Sequence, residues 1–157
     1  VAAGEHFSLA ILGDGSVWAW GDNASNQLGN TTVSSSGSNI PVPVMGLPYK
    51  VVALAAGSSI GCWHTLALLN DGSVWAWGDN SGGQLGNGTS KKTYLPGKVQ
   101  GLPDAVLAMA AGDQHSLVLL RDGTIWAWGN NSSGQLGNYL GGAYGSNQPV
   151  PVIGLPK

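Results

Sequence analysis

AAGDQHSLVLLRDGTIWAWGNNSSGQLG, Ala110–Gly137, decides the fold. With the four residues ahead of it, it opens on an apolar run, Val106–Ala111, that stops at Gly112. A second apolar run follows, His115–Leu120, and then Asp122-Gly123, a tight-turn signal because glycine tolerates positive φ. Thr124–Trp128 reads as a third strand, β-branched and aromatic, with Trp126 and Trp128 on one face. After the polar stretch around Gln135-Leu136-Gly137, Pro149–Ile153 is short and Pro-containing, which suits an outer edge strand. Gly154-Leu155-Pro156 then turns the chain. Glycine and proline punctuate the sequence too often for helix.

The same unit occurs three times. WAWG stands at Trp18, Trp75 and Trp126, QLGN at Gln27, Gln84 and Gln135, and GLP at Gly46, Gly101 and Gly154. AAG stands at Ala2, Ala55 and Ala110, and Asp-Gly at Asp14, Asp71 and Asp122. Four short strands per ~50 residues is the arithmetic of a propeller blade. The expectation is an all-β chain: one propeller region over 1–157, an arc of about three four-stranded blades with repeats 1–48, 49–103 and 104–157. Both faces of a blade pack on neighbours, which fits the unbroken apolarity of Leu66–Leu69. Ala19, Ala76 and Ala127, opposite the paired tryptophans, leave room for large residues of the next blade.

The pattern AAG-x-x-H-S-L-x-L-x-x-D-G-x-x-W-x-W-G-x-N-x-x-G-Q-L-G, met in full by Ala110–Gly137, resembles the regulator-of-chromosome-condensation repeat. The resemblance covers essentially the whole chain and implies a β-propeller, usually of seven blades. It also implies protein binding as the common denominator, with nucleotide exchange factors, ligase-associated propellers and bacterial secreted or surface proteins among the members. Exchange-factor residues do not carry over, because the shared motifs are scaffold motifs. Two departures stand out. Alignment on Gly4 and Asp14 puts Phe7, not His6, where His64 and His115 stand, and repeat two has four extra residues between Gly57 and Asp71. Three blades leave two faces bare, so a longer chain or closure by self-association is expected. The chain opens on Val1 with no signal-like stretch, and both ends are expected to be trimmed.

Composition bounds the partners. Charged residues are 9% against a usual ~25%, and the net charge is −2, from six basic and eight acidic residues. The only basic pair, Lys91-Lys92, is too little for a nucleic-acid footprint. No apolar run reaches the ~20 residues of a membrane helix, so no membrane insertion is expected. One cysteine, Cys62, excludes an intrachain disulfide and a thiolate zinc cluster.

No catalytic, cofactor-binding or metal-binding residue emerges, and no enzyme is expected. His64 and His115 could in principle serve as a metal pair or a general base. A position repeated in each blade normally serves the blade, and Phe7 shows that an apolar ring is accepted there. Asp14, Asp71 and Asp122 read as turn residues, Asp22 and Asp79 as caps of irregular backbone, and the QLG glycines as tight turns. Asn23, Asn30, Asn87 and Asn131 each begin an N-x-S/T sequon, which a chain this rich in Asn and Ser produces incidentally.

In an up-and-down blade, the strand 2–3 and 4–1 turns share one side and vary little. The 1–2 and 3–4 connections share the other and carry the length variation: the insert with Cys62 and Trp63, and the loops Thr31–Ile40, Gly88–Tyr94 and Tyr139–Gln148. Variable loops on a rigid scaffold are where binding resides. Trp63, Tyr94, Tyr139, Tyr144, Lys91 and Lys92 are therefore the candidate binding residues, the aromatics either as contact area at low entropic cost or as packing of the loops onto the blade tops or another blade. The expected function is a non-catalytic interaction module that binds another protein or a glycan, in a bacterial secreted or cell-surface protein. A self-assembling structural array is the alternative. A nucleotide exchange factor or glycan-active enzyme ranks below both.

Overall fold

The computed structural model describes residues 1–58, 61–139 and 145–156. It consists of three four-stranded antiparallel sheets, here called blades 1 to 3. Blade 1 is β1 (Ala2–Ala3), β2 (Phe7–Ile11), β3 (Val17–Gly21) and β4 (Ser38–Pro43). Blade 2 is β5 (Val51–Ala56), β6 (His64–Leu69), β7 (Val74–Gly78) and β8 (Thr93–Lys98). Blade 3 is β9 (Val106–Ala111), β10 (His115–Leu120), β11 (Ile125–Gly129) and β12 (Ser146–Pro151). Each sheet is ordered as it is in sequence. The expected all-β arc of three four-stranded blades is what the chain forms. The third strand is shifted one residue from its expected start, and the fourth begins at Ser146, ahead of Pro149.

The local chemistry explains the hairpins. Gly15, Gly72 and Gly123 take φ of 85°, 82° and 84°, which a side chain would oppose. The preceding aspartates close the same turns: Oδ1 of Asp14, Asp71 and Asp122 accepts the amides of Ser16, Ser73 and Thr124 at 2.9, 2.9 and 2.8 Å. The fourth strands carry Pro41, Pro43, Pro96, Pro149 and Pro151, which cannot donate to a ladder and so belong at a sheet edge. The first strands of successive blades lie against each other, so the prolines are on the outside of the arc.

The core sits between blades, in two clusters. The first joins Phe7, Leu9, Val17 and Ala19 of blade 1 to Ala67, Leu69 and Trp77 of blade 2. The second joins Leu66, Leu68, Val74 and Ala76 of blade 2 to Val118, Leu120 and Trp128 of blade 3. Each blade thus turns its tryptophan face to the blade before it and its aliphatic face to the blade after it. Ala19 and Ala76 make room for the incoming indoles, as the sequence pattern required.

Candidate functional site

The repeated polar residues serve these junctions. In the second junction, Trp128 Nε1 donates to the Gln84 carbonyl at 2.8 Å, and Ser116 Oγ donates to the same oxygen at 2.8 Å. The first junction repeats this with Trp77 Nε1 on the Gln27 carbonyl at 2.8 Å and Thr65 Oγ1 on the same oxygen at 3.4 Å. The QLG glycine is the floor of the socket. A Cβ on Gly86 would lie 2.7 Å from Trp128 Nε1, and one on Gly29 2.9 Å from Trp77 Nε1. These glycines do take positive φ, as turn glycines should, but their packing against an indole of the next blade was not visible in sequence.

The glutamine side chains hold the sockets in shape. Gln84 Nε2 donates to Asp79 Oδ2 at 2.6 Å, and Gln84 Oε1 accepts the Gly82 amide at 2.8 Å. Gln27 does the same with Asp22 and the Ser25 amide, and Gln135 with Asn130 and the Ser133 amide. The polar pairs at 22–23, 79–80 and 130–131 therefore organise loop backbone, and Asp22 and Asp79 have the capping role expected of them.

His64 belongs to the second junction. Ser116 gives its single proton to the Gln84 carbonyl, so His64 Nε2, 3.1 Å from Ser116 Oγ, must be the donor in that pair. A Cβ on Gly57 would lie 2.5 Å from Nδ1, which leaves no room for a substrate atom there. Burial pushes the imidazole down to about 4, so it is neutral. His115, half-buried, is also lowered by desolvation. Gly4 and Gly112 lie under Phe7 and His115 in the same way, which explains the AAG-x-x-ring spacing. Among the described residues, no cluster of three or more His, Cys, Asp or Glu could hold a metal.

Three of the four sequon asparagines are buried. Asn23 Nδ2 donates to the Val33 and Ser34 carbonyls, and Asn30 Nδ2 to Pro43. Asn131 accepts the Leu136 amide. Asn87 alone of the four is half-exposed.

The candidate binding residues separate. Trp63 is 8% exposed and belongs to the first junction: its Nε1 donates to Glu5 Oε2 at 3.3 Å, and its ring meets His6 edge-on at 5.6 Å. An indole in that seam presents no face to a partner, so Trp63 leaves the proposed surface. Tyr94, the second residue of β8, is 58% exposed; Tyr139 is 80% exposed. Lys91 and Lys92 are exposed, and Tyr144 lies outside the described residues. The two tyrosines stand on different blades. Each 3–4 connection is closed on itself, the Gly29, Gly86 and Gly137 carbonyls accepting the amides of Met45, Gln100 and Ile153.

A polar concave surface lies next to this loop. Ser81, Gly82 and Ser90 of blade 2 and Asn130, Ser146 and Asn147 of blade 3 line a polar cleft of about 510 Å³. The equivalent positions of blade 1, Gly21 and Gly37–Asn39, line an open half-cleft. Behind the cleft, Asn80 is fully buried and its Nδ2 donates to the Thr89 and Lys91 carbonyls at 3.0 Å each. The Lys91 backbone is thereby fixed while its side chain stays in solvent.

Comparison with known proteins agrees with this geometry. The regulator of chromosome condensation (RCC1) repeat matches residues 14–68, 71–119 and 122–157. Each match starts at an Asp-Gly turn, and the first two run into the second strand of the next blade, so they are offset from the sheets and span the junctions. The Arabidopsis thaliana "RCC1 domain-containing protein RUG3, mitochondrial" is 32% identical over 139 residues, 87% of this chain and 30% of the relative. The human "Probable E3 ubiquitin-protein ligase HERC6" is 38% identical over 161 residues, 99% of this chain and 15% of the relative. Among solved structures, yeast RCC1 (Prp20) bound to Kap60 superposes with a TM-score of 0.80 at 22% identity, over 97% of this chain and 36% of that one. A second structure of Prp20p from Saccharomyces cerevisiae is described with its binding to Gsp1p and histones. Human WBSCR16 gives 0.78 at 28% identity, over 96% of this chain and 39% of that one. The chain thus spans less than half the length of each of these proteins.

Proposed function

The chain belongs to the regulator of chromosome condensation (RCC1) repeat family, and from that premise we propose that it is a non-catalytic module that binds a protein partner beside the blade 2–blade 3 cleft. The repeated residues are committed to the junctions, which leaves recognition to the residues that differ between blades. Lys91, Lys92 and Tyr94 are such residues, and they stand exposed on one short stretch. The observation that carries the reading is the Asn80 anchor. A loop whose backbone is already fixed loses little entropy when a partner docks. Lys91 and Lys92 favour an acidic segment, with Tyr94 adding aromatic contact area.

Protein ligands of relatives support a protein over a glycan, since Prp20 was crystallised with Kap60 and studied with Gsp1p and histones. A bacterial surface setting is the outer part of the proposal and rests on low charge with abundant Gly, Asn and Ser. The test is affinity capture from the source organism's own extract by the immobilised chain and by a K91E/K92E/Y94A variant. The expected result is a protein held by the parent and weakened at least about tenfold in the variant, a loss near 1.4 kcal/mol. Equal retention by both, or binding confined to a glycan array, would sink the reading.

A further inference from the structure

Asn30 and Asn87 stand at the same position of the repeat and share one cradle. Asn30 Oδ1 accepts the Thr32 amide and hydroxyl at 2.8 and 2.7 Å, and Asn87 Oδ1 accepts the Thr89 amide and hydroxyl at 3.0 and 2.8 Å. Two things set Asn87 apart. Asn30 is buried and its Nδ2 is held by the Pro43 carbonyl at 2.8 Å, whereas Asn87 is half-exposed and its Nδ2 has no protein partner among the described residues. Thr31 follows Asn30, whereas Gly88 follows Asn87 in the one Asn-Gly pair of the sequence. Gly88 is exposed with φ of 79°, and without a Cβ its amide nitrogen is the least hindered backbone nucleophile beside an asparagine. That nitrogen is engaged: it donates to the Asn147 carbonyl at 2.9 Å, and Asn147 belongs to β12 of blade 3.

We propose that Asn87-Gly88 is a site of spontaneous conversion of asparagine to aspartate and isoaspartate, armed by blade 2 and held off by blade 3. In the reaction the Gly88 amide gives its proton to solvent base, and its nitrogen attacks Asn87 Cγ. The N–Cγ bond forms, the Cγ–Nδ2 bond breaks, and Nδ2 takes a proton from solvent and leaves as ammonia. Water then opens the cyclic imide at either carbonyl, giving aspartate or isoaspartate. Negative charge builds on Oδ1 as the nitrogen adds. The Thr89 amide and hydroxyl already donate to that oxygen, with Asn80 Nδ2 at 3.4 Å. Donors fixed at a developing oxyanion lower the barrier. The Asn147 carbonyl opposes the reaction, because the Gly88 amide must surrender that bond before it can lose its proton and turn to Cγ. The rate therefore follows local opening of the blade 2–blade 3 junction. The three Asp-Gly turns have the same glycine neighbour, but an ionised carboxylate is a poor electrophile, and their glycine amides are tied to the Leu12, Leu69 and Leu120 carbonyls. Isoaspartate adds a carbon to the backbone just ahead of the stretch that Asn80 ties at Thr89 and Lys91, so conversion loosens that stretch. The change is covalent and needs no partner, so it stands apart from the proposed function.

The test is incubation of the 157-residue chain in mildly alkaline buffer, with peptide mapping that separates the aspartyl and isoaspartyl peptides. The folded parent should keep Asn87 over a period in which the same chain in urea converts it. Trp128→Ala opens the junction and should convert Asn87 at least about tenfold faster than the parent, with Asn30 unchanged. Thr89→Ala added to Trp128→Ala should slow conversion several-fold. In urea Thr89→Ala should convert at the parent's rate, because the donors act only in a folded blade 2. If Trp128→Ala does not fold, Leu120→Ala loosens the same cluster. A folded parent that converts as fast as the chain in urea, or equal rates in the parent and the junction variant, would remove blade 3 as the restraint and overturn the proposal. A folded Thr89→Ala variant with an unchanged rate overturns it too.

Discussion

Gly57 and His64 show how one missing carbon sets a titration. The glycine lets the imidazole lie against the backbone, inside the second junction and away from water. Its folded pKa of about 4 lies below the unfolded value near 6.5, so acid favours the unfolded chain. The stability this group contributes is full above pH 6.5 and is lost as the pH falls toward 4, about 3 kcal/mol across that window. His64→Phe reproduces the ring that blade 1 already uses at Phe7. It should flatten the dependence of the urea midpoint on pH between 7 and 4, while Ser116 keeps its bond to the Gln84 carbonyl. An unchanged pH profile would remove His64 as the cause. Glycine also allows a cleaner comparison. Gly86 and Gly101 both have positive φ, at 64° and 82°, but only Gly86 has an indole over it, and a Cβ on Gly101 would meet nothing within 4 Å. Gly101→Ala should cost about 1 kcal/mol of backbone strain. Gly86→Ala should cost a further 1–3 kcal/mol or so from displacement of Trp128, read as the difference between their denaturation midpoints.

The loop that follows each third strand owes its shape to a side chain five residues from its partner. Gln84 is fully buried and satisfies Asp79 at one end and the Gly82 amide at the other. Gln84→Ala removes the clasp between Asp79 and the Gly82 amide and should cost about 1–3 kcal/mol in chemical denaturation, with Trp128 fluorescence shifting red as its socket loosens. A loss no larger than that of an exposed control such as Gln100→Ala would contradict the clasp. This element also marks how far the sequence could be read. Strands and hairpins were legible because their signals are local: Asp14-Gly15 closes a turn over four residues, and VWAWG alternates within five. The use of QLG was not legible, because the working atom is a backbone carbonyl with no side-chain signature. Its partners, Trp77 for Gln27 and Trp128 for Gln84, come from the next blade. The choice between a partner and another blade for Trp63 is not legible for a related reason. An aromatic in an insertion looks exposed until the neighbouring blade, here through Glu5 and His6, is in place.

Across the whole molecule the cores lie between sheets rather than within them, so blade 2 is held from both sides and blades 1 and 3 from one. Such an array behaves as units coupled to nearest neighbours, and its stability divides among units and junctions. Removing one junction should therefore uncouple one end rather than weaken the chain evenly. Trp128 is the residue for this experiment, because it is fully buried, donates to the Gln84 carbonyl, and belongs to the second cluster alone. Trp128→Ala should cost about 3–5 kcal/mol at that junction. Hydrogen exchange should then show loss of protection across β9 to β12, while β6, buried on both faces, and β2 keep theirs against the first cluster. Denaturation should separate into two transitions, the earlier one carrying blade 3. Uniform loss of protection with a single sharp transition would mean that the three sheets form one cooperative unit. The stability would then reside in contacts that run past the junctions, and the blade would not be the unit of this fold.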